Sequence, residues 1–122
     1  MLQGNFFTLT SITRDANATK AVIEINPEHK IFDGHFPQTP VVPGVCMMQI
    51  VKEVLEDVVK KETRIVSVAH MKFLRVINPQ ETKTVHLDFK FTPRENKETE
   101  IVASLFNEGV VYFKLKGLVR FA

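Results

Sequence analysis

Val85, Leu87, Phe89 and Phe91 alternate with His86, Asp88 and Lys90. That is the period of a strand with one buried face. Ala21, Ile23 and Ile25 alternate with Val22, Glu24 and Asn26 until Pro27 ends the run. Residues 6–12, rich in β-branched and aromatic side chains, predict a first strand, and residues 15–18 a turn into the second. Residues 101–106 and 110–121 predict two more strands, joined through Asn107, Glu108 and Gly109, a hairpin signal. Residues 65–77 are apolar at nearly every position, which predicts a long strand covered on both faces. Between the second and third strands the period becomes helical, from about Pro43 to Lys60. Its first turns are apolar all round, with Val45, Cys46, Met47, Met48, Ile50 and Val51, as in a buried helix start. Further on, Val54, Leu55, Val58 and Val59 oppose a stripe of Gln49, Glu53, Glu56 and Lys60. The expected order is ββ-α-ββββ, an α+β domain spanning residues 1–122, with one long helix against an antiparallel sheet.

The helix is preceded by a stretch of different character. Residues 34–44 hold Gly34, His35, Phe36, Pro37, Pro40, Pro43 and Gly44. The prolines fix φ and push the residues before them into extended conformations, so residues 35–42 are excluded from helix interior. Pro43 suits a first helical turn, where its missing N–H is not needed. Gly44 lets a ligand approach the backbone closely. A helix N-terminus presents unpaired N–H donors and partial positive charge. A histidine held beside it is a candidate acid–base group with an oxyanion binder next to it. The same pattern also fits a proline-rich loop with an exposed histidine.

Gly34-His35-Phe36-Pro37, then Pro40, then Pro43-Gly44-Val45, closely resembles the signature of the β-hydroxyacyl-acyl-carrier-protein dehydratases of fatty acid synthesis. Residues 71–79, Met-Lys-Phe-Leu-Arg-Val-Ile-Asn-Pro, resemble that family's strand-to-turn segment less closely. The resemblance runs from about residue 18 to the end. It implies a hot-dog fold, edge-to-edge dimers with active sites between protomers, and β-elimination of water from a 3-hydroxyacyl thioester. It implies His35 as the base at C2 and Gly44 as the N–H that binds the thioester carbonyl. Val45, Phe36 and Pro43 are expected around the substrate. The family places Glu or Asp fourteen positions after the histidine, and here that position is Gln49. An amide cannot give up a proton at neutral pH. Glu53, one turn on, makes Gln49 and Glu53 look like an exchanged pair on one helix face. Both are therefore candidates for handling the leaving hydroxyl, and a surface ion pair with a lysine competes as a role for Glu53.

Composition narrows the alternatives. Hydrophobic residues are 44% and charged residues 25% of the 122, with a net charge of +2, which is too small to argue for nucleic acid. The single Cys46 cannot form an internal disulfide, so nothing suggests secretion. It is read as a small core residue, with a nucleophile at the helix start as the alternative. No apolar run approaches a membrane span and no signal peptide is expected, so the cytoplasm is the default. His29, His70 and His86 match no motif; His86 is expected outward and His70 within the sheet with a satisfied hydrogen bond. No metal-ligand spacing is present, and neither metal nor cofactor is expected. The expected partners are an acyl-carrier protein or coenzyme A thioester, docked near Lys72, Arg75 and Lys83, and a second copy of the chain or more. A thioesterase using Glu53 and a non-catalytic acyl-binding subunit remain open.

Overall fold

The computed structural model describes residues 2–15, 18–32 and 41–122, with Asp15 described by its backbone alone. Strands β1 (Phe7–Asp15) and β2 (Ala18–Ile25) are followed by a 3-10 turn (Lys30–Phe32) and helix α1 (Gly44–Val59). Strands β3 (Thr63–Phe73), β4 (Thr84–Pro93), β5 (Thr99–Asn107) and β6 (Val110–Phe121) complete one antiparallel sheet in the order β1-β2-β4-β5-β6-β3. One helix held by a six-stranded antiparallel sheet is the hot-dog architecture that the motif implies.

The alternation read from sequence is what aligns the core. Ala21, Leu87, Leu105, Phe113 and Phe73 are successive cross-strand partners from β2 to β3. The first four are buried. The helix covers this face with Cys46, Met47, Ile50, Val51, Val54, Leu55 and Val58, all buried and spaced three or four apart along one side. Glu108 and Gly109 both have positive φ, 46° and 80°, as the two-residue β5–β6 turn requires.

The third predicted strand differs from expectation in length and setting. β3 ends at Phe73 rather than at residue 77, and it lies at the sheet edge, paired only with β6. Its inward-facing Met71 and Phe73 are exposed, because the rows of the core end there. A nearly continuous apolar run thus marks a strand uncovered in the single chain, not one buried on both sides. The register slips between Ile65 and Ser67 and again between Val68 and His70. A Cβ at Gly117 would lie 2.6 Å from the Ser67 carbonyl oxygen, so glycine lets the bulged backbone close on β6.

Candidate active site

Three segments meet at the helix start. Pro43 is the N-cap residue, extended at φ −61° and ψ 147°, and no side chain caps it. The carbonyl of Pro43 accepts from Cys46 and Met47, while the Gly44 and Val45 N–H groups have no acceptor among the described residues. The lead-in is held by Val42 N–H donating to the Ile77 carbonyl at 2.9 Å, with both side chains buried. The Phe73 ring lies over the turn: a Cβ at Gly44 would come within 2.8 Å of its edge. Glycine is needed here for close approach, as the sequence suggested, but the near neighbour is an aromatic ring.

Val42, Gly44, Met47, Phe73, Leu74 and Val76, with Arg75, line an open hollow of about 400 Å³. Apart from Arg75 its wall is apolar and uncovered, with Phe73 50% and Val76 69% exposed; Val45, next to Gly44 in sequence, is 76% exposed. Val45 therefore faces outward, contrary to the expectation of a helix start buried all round. Its neighbour Cys46 points into the core, and burial raises its thiol pKa, the opposite of what a nucleophile needs. His35 and Phe36 lie outside the described residues.

One turn into the helix the polar stripe is not simply solvated. Glu53 is 2% exposed. Its Oε1 accepts from the backbone N–H of Leu2 at 3.0 Å and of Gln3 at 2.8 Å. Its Oε2 accepts from Leu2 N–H at 2.8 Å and from Gln49 Nε2 at 2.9 Å. Burial alone raises this carboxyl pKa, but the hydrogen bonds from Leu2, Gln3 and Gln49 outweigh it and hold it below the usual carboxylate range. Glu53 is thus an ionised anchor for the strap at residues 2–3, with no lysine partner among the described residues. The exchanged pair does come together, as the i, i+4 spacing implied. Nothing in the sequence announced the strap, because its contact with Glu53 spans about fifty residues.

The remaining charged groups sort differently from expectation. Lys83 precedes β4, and its carbonyl accepts from Ile25 N–H. β4 is three strands from β3 in the sheet order, roughly 14 Å at the spacing of paired strands. Lys72 instead faces Lys114 on β6, and His70 faces Lys116. His70 is exposed and has no hydrogen-bond partner among the described residues, unlike the satisfied histidine expected. His86 is half-buried and stacks on Phe106 at 5.5 Å. His29 Nδ1 accepts from Ile31 N–H, and its ring meets Phe6 edge-on.

Residues 11–107 match the model of the ApeI-like family, described as ApeI dehydratase. The chain is also similar to two 3-hydroxyacyl-[acyl-carrier-protein] dehydratases FabZ. That of Rickettsia typhi is 33% identical over 88 residues, covering 59% of this chain and 61% of the relative. That of Rickettsia massiliae is 31% identical over the same coverage. The chain thus spans about three-fifths of the length of these curated relatives. Among solved structures, a chain of the dehydratase heterocomplex ApeI:P from Xenorhabdus doucetiae superposes with a TM-score of 0.71 at 19% identity, over 93% of this chain and 97% of that one. A putative thioesterase, a phenylacetic acid degradation-related protein from Ralstonia eutropha, superposes at 0.64 with 10% identity, over 95% and 84%. At these identities the structures show the fold alone. No helix among the described residues is long and apolar enough to cross a membrane.

Proposed function

Because this chain belongs to the ApeI-like dehydratase family, we propose that it removes water from a 3-hydroxyacyl thioester to give the 2-enoyl thioester. The observation that carries this reading is the helix start at Gly44, which no side chain caps and which lies beside a largely apolar hollow. An acyl thioester fits that combination. Its chain takes the apolar wall beside Phe73 and Val76, and its carbonyl oxygen takes the N–H groups. Pro43 and Phe36 complete the substrate contacts in this reading.

His35 then removes the proton from C2. The electron pair of that C–H bond becomes the new C=C bond as the C3–O bond breaks, and charge developing on the carbonyl oxygen is stabilised at the helix start. The departing hydroxide needs a proton. Glu53 is held ionised and Gln49 commits its N–H₂ to Glu53, so neither is a ready donor on this chain. In the homodimer reading, a water delivers the proton. A second reading is favoured by the Gln49–Glu53 bond itself: the chain is one half of a heteromer whose other hot-dog chain carries the acid. Either second chain would add along β3, where Met71, Phe73, Leu74 and Val76 are exposed. The acyl group would arrive on an acyl-carrier protein or coenzyme A, and Lys72 and Lys114 offer positive charge on the outer face of β3 and β6.

The test is formation of the 2-enoyl product from 3-hydroxybutyryl thioesters of both carriers, with sedimentation of the purified protein. Product formation by a homodimer supports the first reading. Activity only with a co-purifying second hot-dog chain supports the second. No product in either case sinks the dehydratase assignment.

A further inference from the structure

The strand register sorts the lysines of the sheet onto one side. Lys20, Asp88, Ser104, Lys114 and Lys72 are successive cross-strand partners from β2 to β3. Two residues along, about 7 Å away, Lys90, Val102, Lys116 and His70 form a second row from β4 to β3. Between the two runs the buried row of Phe89, Ala103 and Leu115, so both outer rows point away from the helix. These lysines are exposed, and none has a carboxylate partner among the described residues. The carboxylates nearby are engaged or set back. Glu100 pairs with Arg94 at 3.1 Å, Glu98 pairs with Arg120 at 3.3 Å, and Asp88 Oδ1 is buried. Other acidic groups gather along the helix, at Glu53, Glu56 and Asp57, and just beyond it at Glu62. A net charge of only +2 thus conceals a sheet face of one sign.

We propose that this outer face docks on a lipid bilayer with anionic headgroups. Like charges directly opposite one another destabilise a sheet, so Lys72 beside Lys114 adds nothing to the fold of this chain. The first row spans four strand spacings from Lys20 to Lys72, about 19 Å. Cations spread this widely respond to a charged plane more than to the shape of one ligand. A small acidic ligand at the β3 edge meets Lys72 and Lys114 but leaves Lys90 and Lys20 unmet, three and four strands away. The residue type agrees: lysine is a point charge that needs no fixed partner geometry, where arginine would hold a particular phosphate by two bonds. A leaflet containing phosphatidylserine offers negative charge under the whole face, worth about fivefold in affinity for each lysine that reaches it. The proposal is independent of the dehydratase reading and needs neither the hollow nor a thioester.

The experiment is co-sedimentation of the purified chain, in the oligomeric state it adopts, with phosphatidylcholine vesicles made with and without phosphatidylserine. Binding should require phosphatidylserine and should weaken at high salt, which screens exposed charges. Lys90→Glu combined with Lys116→Glu reverses the second row, which has no part in the carrier docking proposed above. It should lower vesicle affinity at least ~25-fold, two lysines at about fivefold each. Lys52→Glu combined with Lys61→Glu makes the same change of net charge on the helix side, beyond the screening length, and should leave affinity within about twofold. Thermal unfolding shows whether the reversed chain is folded; should it not fold, Lys90→Gln combined with Lys116→Gln carries the test, with a loss of about 25-fold. Equal binding to both kinds of vesicle, no binding at low salt, or equal losses in the two reversed pairs overturns the inference. So does a wild type that ignores the vesicles but binds an acidic protein or a DNA duplex, which would assign the face to that partner. Each of these outcomes leaves turnover of 3-hydroxybutyryl thioesters, and with it the dehydratase reading, untouched.

Discussion

The two halves of α1 treat their polar groups in opposite ways. In the second half several polar groups find partners. Lys60 N–H caps onto the Glu56 carbonyl at 2.8 Å from a left-handed conformation, the Glu56 carboxylate accepts from Thr63 N–H, and Glu53 takes the strap. At the first turn two N–H groups have no acceptor among the described residues, no side chain caps them, and apolar Val45 and Phe73 are exposed. Buried polar groups left without partners are costly. The open end is not buried, since Val45 is exposed, so its N–H groups are free to meet solvent or the thioester carbonyl proposed above. Where Asp or Ser would cap a helix for stability, Pro43 stands here.

Breaking the closed half should cost most. Glu53→Ala leaves the half-buried Leu2 and Gln3 N–H groups without their acceptor and should lower stability by about 2 kcal/mol; chemical denaturation reads this directly. The same carboxylate makes stability depend on acid. Its folded pKa is depressed, so its contribution is present above the unfolded carboxyl value of about 4.3 and is lost as pH falls through the folded value. Wild-type stability should therefore drop in that acid window, and Glu53→Gln should flatten that part of the profile. An identical acid profile in the variant would remove the anchoring role.

Breaking the open end should leave the fold alone. His35→Ala should lower turnover by at least ~100-fold, the low end for removing a general base, with an unchanged unfolding midpoint. Activity within a few-fold of wild type would exclude His35 as the base. Gly44→Ala sharpens the contrast further. The added Cβ meets only the edge of the half-exposed Phe73 ring, which can swing aside. Stability should stay within about 1 kcal/mol, since alanine also favours helix, while turnover falls roughly tenfold as the approach to the N–H groups narrows. Equal losses in both measurements would mean that the open end is structural.

The smallest effect is expected on the outer face of the sheet. Lys72 and Lys114 oppose each other across β3 and β6, an arrangement that costs a few tenths of a kcal/mol. Lys114→Glu should recover that amount and weaken carrier binding, most visibly at low salt. Carrier affinity unchanged at low salt would detach this pair from docking.

Much of this was legible in the chain. Alternation at Val85, Leu87 and Phe89 and the three- and four-residue spacing of α1 dictate sides, because buried faces have fixed periods. Pro43 and Gly44 announce a helix start whatever surrounds it. Other features were decided by the tertiary structure, since they depend on what lies opposite. An apolar run such as that of β3 reads the same whether two layers cover it or a partner is still to come, and only the strand order makes it an edge. Glu53 reads as part of a wet stripe, and only a strap about fifty residues away turns it into a buried, ionised anchor. The i, i+4 spacing places Gln49 and Glu53 on one helix face, but the direction in which the amide points follows from a carboxylate held by Leu2 and Gln3. Local pattern determines which side of an element a residue occupies; the distant partner determines its charge, its burial and the end it presents.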